Sequence, residues 1–160
     1  MIYSAQSAYA IRAMTRLAMI RPFGYVLLDD LCRGTDLPRH FVAKIFQQLV
    51  REGLLTSAKG RGGGFALSRR PADICLYDIV AVIDGTEQFE QCVVGLTRCD
   101  ATQPCPLHDD WFTIRGEIKQ YLVEMNIERM AQVLKDKLEG ADTVAINVEQ
   151  ARLGRAGAGQ

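Results

Sequence analysis

With 160 residues, 48% of them hydrophobic and 24% charged, the chain has the make-up of one ordinary globular domain with a real core and room for an arm or tail. No window approaches the roughly 18 unbroken apolar residues of a membrane span. The opening MIYSAQSAYAIRAMTRLAMIRP, interrupted by Arg12 and Arg16, lacks the order of a secretory signal, so a cytoplasmic location is expected. A formal net charge of +0 hides a division: residues 1–75 hold 11 Lys and Arg against 5 Asp and Glu, residues 76–160 hold 8 against 14. The first part is therefore the candidate polyanion binder and the second is not.

From about Ser4 to Ile20, apolar residues at Ile11, Met14, Leu17 and Ala18 recur at helical spacing. RPFGY breaks that pattern, and from Leu28 a short helix, LDDLCRG, ends at Gly34. In the TDLP that follows, Thr35 or Asp36 can cap the next helix and Pro38 suits its first turn. That helix runs to about Glu52, with Val42, Ile45, Phe46, Leu49 and Val50 as its buried stripe. A short helix, a tight turn and a longer helix make the spacing of a helix-turn-helix. Off the apolar stripe lie Arg39, His40, Ala43, Lys44, Gln47 and Arg51, with no acid among them. Arg and Lys reach phosphates or guanine edges and Gln can read adenine, although a solvated helix face has the same composition.

After Gly53, two β-prone runs, Leu54–Ala58 and Phe65–Ser68, flank a turn of Lys59, Gly60, Arg61 and three further glycines. This predicts a hairpin, and directly after a helix-turn-helix it reads as a wing. Glycines there would let the backbone approach a groove wall while Lys59 and Arg61 meet phosphates or enter a minor groove. A nucleotide-cradling loop is excluded because the third glycine position holds Phe65 and no Gly-Lys-Ser/Thr follows. A helix is predicted from Leu76 to Ile83, ended by Gly85. From about Leu107 a long helix carries Trp111, Ile114, Ile118, Tyr121, Leu122 and Met125, a heptad-like seam suited to a second subunit or to the chain's own core. Ile127, Met130, Val133, Leu134 and Leu138 continue as a shorter amphipathic segment, and the end of the chain, LGRAGAGQ, is too small and polar to pack.

Between these helices Cys92, Cys99 and Cys105 stand at C-x6-C-x5-C, with His108 two residues beyond the last. Five cysteines, an odd number in a chain without a secretory signal, point to metal or redox chemistry over a disulfide framework. Thiolates are soft ligands that select zinc, copper(I) or iron–sulfur. The gaps are wider than the close pairs of a zinc knuckle, and a larger cluster tolerates such a loop better, while zinc and thiol redox chemistry stay open. His108 is the natural fourth ligand, with Asp109 and Asp110 as local competitors. Cys32 and Cys75 sit in apolar contexts and read as small buried hydrophobes. No G-x-S-x-G, H-E-x-x-H or cysteine with a spaced His/Asn pair occurs, so an enzyme is not expected.

The opening SAYAIRAM, the helix-turn-helix, the wing KGRGGGFALSR, the helix LYDIVAVIDG and the three-cysteine loop occur in that order. Over about residues 1–138 this resembles the bacterial winged-helix regulators that include the iron–sulfur regulator IscR, the nitric-oxide sensor NsrR and the iron regulator RirA. The resemblance implies a mainly α fold with a small β-hairpin wing and a long C-terminal dimerisation helix. It divides residues 1–138 into a DNA-binding unit (1–84), a cluster-binding loop (85–106) and dimerisation helices (107–138), and leaves unexplained residues 139–160, whose composition predicts a disordered tail. It implies a homodimer on a roughly palindromic operator in double-stranded DNA, each subunit holding one [2Fe-2S] or [4Fe-4S] cluster. Cys92, Cys99 and Cys105 match the cluster cysteines, and His108 matches the histidine that completes a Cys3His [2Fe-2S] site in IscR-type members. NsrR-type members take a carboxylate from the first helix of the other subunit, where this chain has Ala8, so the IscR-type [2Fe-2S] chemistry is favoured. The first cysteine gap is six residues where IscR-type sequences have five, and Ala43 stands where they carry a glutamate that tunes operator choice.

The expected function is a dimeric regulator whose operator affinity follows an iron–sulfur cluster sensing redox state, nitric oxide or iron–sulfur supply. Arg39, His40, Lys44 and Gln47 would meet the major groove, and Lys59 and Arg61 would position the wing. One alternative keeps the DNA binding and gives the cysteines to zinc or a thiol–disulfide switch. Another is a small iron–sulfur protein for electron transfer or cluster delivery, against which the basic first half argues.

Overall fold

The computed structural model describes residues 2–96, 99 and 101–139. In chain order they form α1 (Ala5–Ile20), α2 (Leu28–Cys32), α3 (Arg39–Arg51), β1 (Leu55–Ala58), β2 (Gly64–Leu67), α4 (Leu76–Asp84) and α5 (His108–Glu124). A last helix, α6, occupies residues 127–139. The fold is the expected one, mainly helical with a single antiparallel hairpin. The disordered tail expected over 139–160 lies outside the described residues from position 140 onward.

α1 begins where the Ser4 hydroxyl accepts the Ser7 N–H at 3.1 Å, a side-chain cap for an otherwise orphaned donor. Its inner face buries Ala10, Met14 and Leu17 against Val42, Ile45, Phe46 and Leu49 of α3 in one cluster. Ile79 and Val80 of α4, Leu122 of α5 and Ile127 of α6 complete that core. Removing each of the larger of these side chains (Met, Leu, Ile, Val, Phe) from water contributes about 1.5–3 kcal/mol, which is why the 3.6-residue periodicity of α1 and α3 dictates their packing. Val50 sits at the margin of the cluster, half-buried.

The turn between α2 and α3 departs from expectation. Neither Thr35 nor Asp36 caps α3, and Pro38, expected in the first turn, is itself the N-cap residue. The Thr35 hydroxyl donates to Cys32 O at 2.8 Å and accepts from Leu37 N at 3.3 Å, and Asp36 pairs with Arg12 of α1. The two polar groups are used in closing and anchoring the turn, too early in the chain to reach the first N–H groups of α3. Arg16 of α1 serves the end of α2, donating to Leu31 O at 2.6 Å and Arg33 O at 2.8 Å. Those carbonyls have no helical partner of their own.

β1 and β2 pair from Leu55↔Leu67 to Ala58↔Gly64. Val26, ahead of α2, adds an isolated bridge on the other edge of β2 by exchanging two 2.9 Å hydrogen bonds with Phe65. A Cβ on Gly64 would stand 2.1 Å from Val26 O, and one on Gly63 would stand 2.3 Å from Ala58 O. These two glycines are therefore demanded by backbone packing inside the protein, a reason the sequence reading, which assigned the glycines to a groove wall, did not foresee.

α4 is closed by Gly85 at φ +80° and is tied to the C-terminal helices. Leu76 N donates to Met125 O at 2.8 Å, and Ile127 N donates to Ile74 O at 3.0 Å. Asn126 then caps α6, its side-chain oxygen accepting the Arg129 N–H at 2.9 Å. The α5 seam divides: Leu122 is buried and Ile118 and Met125 pack on the core, whereas Ile114 and Tyr121 are exposed.

Candidate nucleic-acid interface and cysteine loop

α3 rests its apolar stripe on α1 and α4, which turns His40, Lys44, Gln47 and Arg51 outward along one line of the helix, all exposed. Arg39 is exposed as well, and its Nε donates to the carboxylate of Asp29 in α2. That hydrogen bond and charge raise the pKa of the guanidinium, which stays ionised throughout. Asp29 is a member of the site that the sequence reading missed; the LDD of α2 was the available signal.

The hairpin stands beside α3 because Phe65 of β2 meets Phe46 of α3 edge to face, ring centroids 5.1 Å apart. A cavity of about 290 Å³, lined by Gln47, Val50, Arg51, Ser57 and Phe65, separates the outer face of α3 from the strands. Lys59 and Arg61 lie exposed at the hairpin tip. Thus four of the six DNA-facing residues expected from sequence share the α3 helix and two share the wing.

The cysteine loop leaves α4 through a short turn at Glu87–Phe89 and reaches α5 at His108. α5 grips the start of this loop: Trp111 Nε1 donates to Gln91 O at 2.8 Å, and Arg115 donates to Glu90 O at 2.9 Å. Neither contact was foreseen, since Trp111 reads from sequence as a seam residue. Cys92 is buried although the residues that follow it, Val93 to Leu96, are exposed, and the N–H groups of Val94 and Leu96 point at its sulfur. These hydrogen bonds, helped by Cys105, lower the Cys92 pKa against the opposing effect of burial.

Cys99 Sγ lies 3.4 Å from His108 Nδ1, and His108 is only 8% exposed at the first turn of α5. Cys99 and His108 are therefore in contact, and Cys105 lies near enough to Cys92 to help lower its pKa. Among the described residues, no three His, Cys, Asp or Glu side chains converge as a single-ion site. The donor set itself, three thiols and an imidazole held in one loop, fits an iron–sulfur group chemically. Asp109 and Asp110 are exposed in the first turn of α5. Cys32 and Cys75 lie elsewhere, half-buried; burial raises both pKa values, which favours the protonated thiol. Cys75 also caps α4 in a reciprocal box with Asp78.

No helix among the described residues is long and apolar enough to cross a membrane. Residues 3–133 match the Rrf2 family, described as iron-dependent transcriptional regulators. A Mycobacterium tuberculosis protein, assigned as an HTH-type transcriptional regulator, is 31% identical over 129 residues, covering 80% of each chain. The regulator IscR of Xenorhabdus nematophila is 24% identical over 129 residues, covering 81% of this chain and 78% of its own. Among solved structures, CymR, the global cysteine regulator of B. subtilis, superposes with a TM-score of 0.70 at 24% identity over 81% of this chain and 95% of its own. The T. potens IscR structure gives a TM-score of 0.64 at 25% identity over 86% and 88% of the two chains. These relatives are transcription regulators and share the winged helix described above. The chain belongs to the Rrf2 family, as an IscR-like winged helix-turn-helix transcription regulator.

Proposed function

We propose that the protein is a homodimeric, cytoplasmic regulator that binds a roughly palindromic operator under the control of an iron–sulfur cluster. The observation that carries this reading is that Cys92, Cys99 and Cys105 stand in the loop that joins the winged helix to α5, with Cys99 against His108 at the first turn of that helix. These four residues would hold the cluster, as a Cys3His [2Fe-2S] site. A bound cluster supplies a centre whose charge changes with redox state and which small oxidants or nitric oxide can destroy.

The rest of the device is built from the chain. His40, Lys44 and Gln47 are free to meet base edges, Arg39 can exchange Asp29 for phosphate, and Lys59 and Arg61 extend the contact along the backbone. α5 leaves Ile114 and Tyr121 exposed on one flank of its buried stripe and Phe112 and Val123 on the other. This supports a second copy of α5 as its partner, since such rows of large apolar side chains mark interaction surfaces. Trp111 and Arg115 connect that helix to the loop, so the loop and the dimer contact share one element. Control of DNA affinity follows only where the two loop states bind DNA differently. The division at about residues 84, 106 and 138 into DNA-binding unit, loop and dimerisation helices is part of this reading.

The test is the iron, sulfide and zinc content and visible spectrum of protein purified without oxygen, with a gel shift on the DNA upstream of its own gene. About two iron and two sulfide per subunit with a red-brown spectrum is the expected result. About one zinc and no colour would leave the winged helix as a regulator and remove the cluster. Metal-free protein would move the sensing to the thiols.

A further inference from the structure

Away from both the cysteine loop and the outer face of α3, α1, the Gly34–Leu37 turn and α6 line a cleft of about 510 Å³ that is open to solvent along α6. That volume falls among those of small-ligand sites, about 300–1,000 Å³. Its walls are apolar: Met19 of α1, Leu37 of the turn, and Met130, Val133 and Leu134 of α6. Three cations border it, Arg12, Arg16 and Lys137, against one carboxylate, Asp36. Asp36 is taken by Arg12. Arg16 donates to the Leu31 and Arg33 carbonyls, and no ion pair found among the described residues engages Arg16 or Lys137. Thr15, 1% exposed, also lines the cavity, and its hydroxyl is buried without a hydrogen-bond partner among the described residues.

We propose that this cavity binds a small amphipathic carboxylate, its head between Arg16 and Lys137 and its apolar body against Met19, Leu37 and Leu134. The charge balance selects the class. An uncharged apolar molecule would leave two cations without a counter-charge, and a compact inorganic anion would leave the apolar walls unfilled. The ligand would touch the turn that leads into α3, the helix that faces DNA. The binding itself requires neither the cluster nor the operator, so it stands or falls separately from them.

The probe is sodium octanoate, titrated calorimetrically into the full-length protein, with 1-octanol and sodium butyrate as controls. Saturable binding at one site per subunit is expected, with each control about tenfold weaker, the signature of a site that uses both head and body. Lys137→Gln, at an exposed position, should weaken octanoate about threefold, and Leu134→Trp, which fills the cavity from a part-exposed position, should abolish it. Thermal melts equal to that of the parent protein establish that both variants fold. Absence of saturable octanoate binding overturns the proposal, as does octanol binding equally well. Octanoate binding unchanged in both variants would place the site elsewhere and overturn it too.

Discussion

The carboxylate of Asp84, the last residue of α4, accepts the Ser4 N–H at 2.8 Å and the Ser7 hydroxyl at 2.9 Å, which fastens the start of α1 to the point where the cysteine loop departs. The Ser4 hydroxyl bonds the same carboxylate while it caps α1. An acid beside the first turn of α1 also complements the helix dipole. Asp84→Ala should therefore cost about 1–2 kcal/mol in urea unfolding, and Asp84→Asn, which keeps an acceptor, should recover part of that. Equal midpoints for all three proteins would show that the cap alone holds α1.

His108 Nδ1 lies 3.4 Å from Cys99 Sγ. His108→Ala should lower the iron and sulfide retained after anaerobic purification and shift the visible absorption, while far-ultraviolet circular dichroism stays that of the parent. An unaltered spectrum would assign the fourth ligand to another residue.

Arg61 is exposed at the wing tip and Lys44 on α3. Arg61→Ala should weaken binding to specific and unrelated DNA alike and reduce the slope of log affinity against log salt by about one. Gln47→Ala, by contrast, should cost about 1–3 kcal/mol on the operator and relax its base preference. Competition gel shifts at several salt concentrations separate the two behaviours.

Ile114, 47% exposed, lies on a flank of α5 that the chain's own core does not cover. Ile114→Glu should shift the protein from dimer to monomer in light scattering without loss of helix content, because no buried contact of the subunit is removed. A dimer that persists would place the interface elsewhere.

The Arg12 guanidinium holds the Asp36 carboxyl below the usual aspartate range, and Arg70 does the same for Asp73. A depressed folded-state pKa means stability that is present above the unfolded value, about 3.9, and is lost as pH falls through the folded value. The difference in urea midpoint between the parent and Asp36→Asn should accordingly shrink as pH is lowered from about 6 to about 3. A gap that does not change with pH would show that the Arg12 pair contributes nothing through ionisation.

Much of the molecule was legible in its residues. The apolar periods of α1 and α3, the KGRGGG turn and the closing Gly85 specify local structure through spacing and φ alone, and the observed elements lie within a few residues of those expected. The clustering of Cys92, Cys99, Cys105 and His108 marks a candidate metal-binding loop for the same reason: these donors are close in sequence. What depends on distant segments meeting was decided only by the tertiary structure. Which face of α5 turns inward, why Gly64 must be glycine beside Val26, where Asp84 finds Ser4 and how Asp29 holds Arg39 are settled by packing across separations that no local pattern encodes. The thiols are legible in sequence as candidate ligands, but the contact of Cys99 with His108 at the first turn of α5 comes from the folded loop. Periodicity fixes an element and its apolar face; the element that will cover that face is chosen by the free energy of the whole core.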